Sequence, residues 1–108
     1  MIDYKDGKIT WDNSHSWEKD EAYYAQDLLQ VEYGTRCVID VGDYSNGSGE
    51  RHFVIMVIDF STCQTEDEMA EAWCDPYATI PCKDKADLLV QLQRAIDVYP
   101  SMILGNDM

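Results

Sequence analysis

Basic residues are scarce in this chain. Eight Lys and Arg stand against 21 Asp and Glu, for a formal net charge of −13. Phosphate contacts depend on Lys and Arg, and no cluster of them occurs along the sequence, so direct binding to nucleic acid is not expected. The same shortage argues against an anionic membrane surface. No segment reaches the roughly 18 apolar residues of a membrane-spanning helix. The start "MIDYKDGKIT" shows no basic stretch followed by an apolar run. No signal peptide is therefore read, and a cytosolic location is expected.

Motifs of chemistry are missing too. Cys37, Cys63, Cys74 and Cys82 form no CxxC. Structural zinc sites favour paired ligands at short spacing, so the four thiols read as reduced, free cysteines that pack as small hydrophobes. No metal or other cofactor is expected. The glycines at 47 and 49 are not followed by GK[ST], and there is no GxSxG or HExxH. "DVGDYSNGSGE" places acids at 40, 43 and 50, not at the alternating positions of an EF-hand. A Cys–His enzyme would need His15 or His52 beside a thiol, and His52 reads better as a strand-end residue. Catalysis is not expected.

What the chain does contain is enough apolar matter for a fold. Hydrophobic content of 45%, with three Trp and seven Tyr, argues for order despite the charge. A length of 108 residues suits one domain with one core.

Periodicity gives an outline. "IDYKDGKITW" reads as a hairpin turning at Asp6-Gly7. Ser16 then caps a helix over about 17–32, with Trp17, Tyr24, Leu28 and Val31 as its buried stripe and Gly34 closing it. Residues 35–43 and 51–60 read as strands, joined by a hairpin loop, with the second strand central in its sheet. Thr65-x-x-Glu68 predicts a capping box and a helix whose Met69 and Trp73 face inward. Pro76 and Pro81 bracket a loop. A last helix over about 85–98, capped by Asp84, buries Leu88, Leu92, Ala95, Ile96 and Tyr99, and Pro100 stops it. The tail reads as a short strand or a frayed end. The expected fold is α+β: an antiparallel sheet of about four strands with about three helices packed on one face.

The surplus acid is the candidate functional feature. Glu66, Asp67 and Glu68 suit the first turn of a helix, where negative charge meets the positive end of the macrodipole. Glu71 and Asp75 have no such role. On the expected first helix, Asp20, Tyr23 and Asp27 share a side, with Asp20 and Asp27 about 10 Å apart along the axis. That is on the scale of phosphate spacing, and tyrosine is common in contact surfaces. A magnitude of about 2–8 charges is ample for solubility. The bland alternative for each strip is an ordinary solvated face.

In size, acidity and α+β make-up the chain resembles the small inhibitors that phages and mobile elements turn on host nucleases, the anti-CRISPR and anti-restriction DNA mimics. The resemblance is one of composition over the whole chain, carried by no motif. It implies an inhibitor acting in the host cytoplasm on a basic protein partner, a nuclease or CRISPR effector. Asp20, Tyr23, Asp27, Glu66, Asp67, Glu71 and Asp75 would then form the partner-binding surface. An immunity protein or antitoxin that neutralises a basic nuclease toxin would use the same physics. A small enzyme or metal protein built on the Cys and His residues is the alternative of a different class.

Overall fold

The computed structural model describes residues 2–12, 26–43 and 53–104. Among them the order is β1 (Lys8–Asp12), β2 (Gln26–Tyr33), β3 (Cys37–Asp43), β4 (Phe53–Asp59), α1 (Glu66–Cys74), β5 (Ala78–Cys82) and α2 (Lys85–Leu104). The five strands form one antiparallel meander in chain order. The α+β class is as expected, with five strands and two helices among the described residues.

Side chains alternate across the sheet, and each face has its own cover. Leu29, Val31, Cys37, Ile39, Val41, Phe53, Ile55 and Val57 face α2 and make the main core with Leu88, Leu92, Ala95 and Ile96. Those four α2 residues are the stripe read from the sequence, and each is at most 2% exposed. A fully buried Leu or Ile contributes about 1.5–3 kcal/mol. α2 lies over β3, β4 and β5. Residues 2–7 extend that cover to β2: Ile2 and Tyr4 pack on the core, and the Tyr33 hydroxyl donates to the Tyr4 carbonyl at 3.1 Å. Gln93 of α2 holds this strap by accepting from the Asp3 N–H (2.8 Å) and donating to its carbonyl (3.1 Å). Lys5 adds an ion pair to Asp97 at 3.1 Å, which together with Gln93 holds the Asp97 carboxyl below its usual range. On the opposite face Val38, Ile58 and Phe60 form a smaller cluster, which α1 meets through Ala72. The two helices thus sit on opposite faces, not on one.

Several local expectations are corrected. Residues 26–33 are strand β2, not the end of a helix. Leu28 and Val31 fit helical spacing, but Leu29, Val31 and Tyr33 alternate equally well, and pairing with β1 and β3 decides between the two patterns. A register shift between Asp27 and Leu29 lets adjacent Leu28 and Leu29 both be buried. Gly34, at φ 64°, belongs to the β2–β3 turn. The expected helix over 17–25 and the loop over 44–50 lie outside the described residues.

Residues 2–4 do not pair with β1. The Gly7 N–H donates to the Tyr4 carbonyl (3.0 Å), so Lys5 and Asp6 are the central turn residues, with Lys5 at φ 54°. Gly7 is needed for another reason: a Cβ there would fall 2.5 Å from Val31 Cγ1 and 2.6 Å from Tyr33 Cζ. The expected loop at 76–81 is mostly strand β5. Pro81 is tolerated because β5 is a sheet edge, where a missing N–H costs no ladder bond. Pro100 does not stop α2, which runs on to Leu104 while Ile103 packs on the core. Lys8 and Pro81 blunt the two edges against pairing with other strands.

Candidate protein-binding face

The short helix α1 follows directly from β4. Strand β4 ends at Asp59, and a turn then closes with the Cys63 N–H donating to the Phe60 carbonyl at 3.0 Å. Thr65 is the N-cap, as its spacing to Glu68 predicts. Its Oγ1 accepts from the Glu68 N–H at 3.1 Å and donates to Glu68 Oε1 at 3.3 Å. The same Oε1 accepts from the N–H of Gln64 at 3.2 Å. Glu68 therefore reaches one residue further back than the N-cap amide of a capping box.

The helix is raised rather than sunk. None of its residues is buried. Met69 and Trp73 are 41% and 38% exposed, which corrects the inward-facing expectation. Trp73 is still held in place: its ring meets Phe60 edge-on, with centroids 5.9 Å apart and planes at 61°. Tyr77, just past the helix, is 48% exposed and contacts Tyr99 edge-on at 6.0 Å.

Glu66, Asp67, Glu71 and Asp75 are all exposed on this element. Among the described residues, no basic side chain forms an ion pair with any of them. Asp67 and Glu71 stand one turn apart, about 6 Å along the axis, and Asp75 continues the spacing as C-cap. The acids at the two ends differ physically. Glu66 and Asp67 sit at the positive end of the macrodipole and stabilise the helix. Glu71 and Asp75 sit at its negative end, where no basic residue occupies the last turn. Like charges at four-residue spacing are unfavourable as well. The field is felt next door: the Cys63 thiol is pushed up by partial burial and then by the carboxylates of Glu68, Asp59 and Glu71.

Of the other expected site residues, Asp27 alone lies on a described element. Asp20 and Tyr23 lie outside the described residues. Asp27 is on β2, in register with Gly42, so the helical spacing to Asp20 does not apply. Asp40, one of the acids in "DVGDYSNGSGE", is 5% exposed in the middle of β3. Its place inside the apolar run "VIDVG" marks it in the sequence as an acid set among core residues.

The cysteines behave as separate groups. All four are free, with Cys37 and Cys82 buried, Cys63 half-buried and Cys74 exposed. Burial, followed by the nearby Asp59, pushes the Cys37 thiol up to about 12. Burial and then Asp87 take Cys82 to about 11. Among the described residues, no group of three or more His, Cys, Asp or Glu could hold a metal ion. Two shallow depressions flank α2. One, of about 330 Å³, is lined by residues that include Ile80, Arg94, Val98 and Tyr99; the other, of about 290 Å³, is lined by Ile2, Leu89, Val90 and Gln93. Neither joins a nucleophile to a base. Among the described residues no helix is long and apolar enough to cross a membrane.

Compared with protein-family models, curated proteins and solved structures, the chain matches none.

Proposed function

We propose that this protein is a small acidic inhibitor. It docks on a basic nucleic-acid-binding effector and occupies the site that would take the nucleic acid. Carboxylates stand in for phosphates, and the negative field speeds the encounter. It acts by binding, not by catalysis. A phage or mobile-element protein acting on a nuclease or CRISPR effector is the setting that fits an acidic domain of this size.

One observation carries the reading. Glu71 and Asp75 are placed where a sequence optimised for helix stability would put Lys or Arg. Exposed acids kept against the dipole, on a helix that buries none of its residues, are accounted for by a basic partner.

The test is a gel-shift titration over a panel of nucleic-acid-binding effectors, asking which lose their DNA or RNA when the protein is added. Against such an effector, the variant Asp67→Asn/Glu71→Gln/Asp75→Asn is expected to associate more slowly and inhibit less. Wild-type inhibition is expected to fall steeply as salt rises. Equal inhibition by variant and wild type at both low and high salt would refute charge mimicry by α1.

A further inference from the structure

We infer that residues 2–7 form a latch that opens as a unit while the sheet stays closed, and that this opening, short of unfolding, bares Tyr33 and Cys37. The inference is independent of the reading of α1. Residues 2–4 belong to no strand, and α2 supplies their anchor. Asp3 donates its N–H to Gln93 Oε1 at 2.8 Å and accepts at its carbonyl from Gln93 Nε2 at 3.1 Å. Gln93 Nε2 also donates to Asp97 Oδ1 at 3.1 Å, the oxygen that meets Lys5 Nζ at 3.1 Å. One turn apart on α2, Gln93 and Asp97 thus act as a single catch. Its hydrogen bonds are exposed, as are both side chains of the ion pair, so water and salt compete with it. Ile2 and Tyr4 are only partly buried. β1, by contrast, is held to β2 by its ladder.

The hinge is the turn from Tyr4 to Gly7. Lys5 sits there at φ 54°, in the left-handed region that a side chain disfavours, and opening relieves it. Few buried contacts, exposed hydrogen bonds and a strained hinge are the marks of a segment that opens on its own. Beneath the latch, Tyr33 and Cys37 are register partners at one end of the β2–β3 ladder, 4% and 0% exposed. Both belong to the core that Ile2 and Tyr4 pack against. The Tyr33 hydroxyl donates to the Tyr4 carbonyl at 3.1 Å. Burial, then Cys37, Tyr4, Asp3 and Asp97 in turn, push that hydroxyl's pKa up, which gathers these groups around one point. When the latch lifts, Tyr33 loses both its acceptor and its cover, and water reaches the thiol paired beside it.

Labelling of Cys37 by a thiol reagent, followed by mass spectrometry of its peptide, tests the latch. Each rate is divided by that of the same thiol in the urea-unfolded chain and set against the unfolded fraction from a urea titration. In wild type Cys37 is expected to react about tenfold or more faster than that fraction permits. Its rate should rise only weakly in low urea, because the latch exposes little surface on opening. Ile58→Val loosens the cluster on the opposite face, whose contacts survive when the latch is open. It should raise the unfolded fraction about fivefold and leave the Cys37 rate in place. Lys5→Ala/Gln93→Ala removes the catch and should speed Cys37 about tenfold. A Cys37 rate equal to that set by unfolding, rising in step with the unfolded fraction in Ile58→Val, would overturn the latch. So would a rate that Lys5→Ala/Gln93→Ala leaves unchanged.

Discussion

The two helices begin alike and end differently. Each has a short polar side chain as N-cap: Thr65 accepts from the Glu68 N–H, and Asp84 accepts from the Asp87 N–H at 2.8 Å. Each then has an acid reaching back, Glu68 to the Gln64 N–H and Asp87 to the Lys83 N–H. Beyond the cap they diverge. α2 runs 20 residues and buries Leu88, Leu92, Ala95 and Ile96, whereas α1 runs nine residues and buries none. A nine-residue helix is marginal by propensity alone, so its caps and the Phe60–Trp73 contact matter out of proportion. The difference teaches a division of labour: α2 builds the core, and α1 is displayed on it.

Thiol chemistry offers the widest test of that division. Cys74 closes α1 and is exposed, while Cys82 just precedes α2 and is buried. A thiol reagent should modify Cys74 at the rate of a free cysteine. Cys82 and Cys37 should react only through opening of the fold, slower by about a thousandfold or more for a domain of ordinary stability. Comparable rates for Cys74 and Cys82, followed by mass spectrometry of the labelled peptides, would mean that the β5–α2 region is not a closed core.

Truncation separates the helices by a smaller margin. Leu92→Ala in α2 should destabilise by about 2–5 kcal/mol, because Leu92 is fully enclosed and the cavity cannot fully collapse. Met69→Ala in α1 should cost less than about 1 kcal/mol, since the side chain is 41% exposed and much of its surface already faces water. Urea unfolding of both variants checks the pair. Equal losses would place Met69 in a core that the structure does not give it.

The same contrast governs what is legible in the amino-acid sequence. Local signals were legible. The caps at Thr65 and Asp84, the α2 stripe, and strands β3 and β4 each depend on residues within a few positions of one another. Signals that depend on distant partners were not. "QDLLQVEY" carries both a helical and a strand period, and only pairing with β1 and β3 selects the strand. β5 carries Pro81, which reads as a breaker until the strand is known to lie at an edge. Pro100 reads as a stop until Ile103 is seen to hold the next turn on the core. Within the candidate site, the acids of α1 were visible as a run. The exposure of Met69 and Trp73 was not, because periodicity shows that two residues share a side but not how deeply that side is covered.

The central claim is that the C-terminal acids of α1 are kept against the interest of the fold. It is tested most directly by the unfolding free energy of Glu71→Lys, compared with wild type by urea titration at low ionic strength. Lys at this position would complement the negative end of the macrodipole and stand one turn after Asp67, the favourable order for an ion pair. The account predicts a more stable variant, by about 0.5–1 kcal/mol, with the gain shrinking as salt is added. An unchanged or less stable variant would contradict it, since Glu71 would then be serving the fold after all.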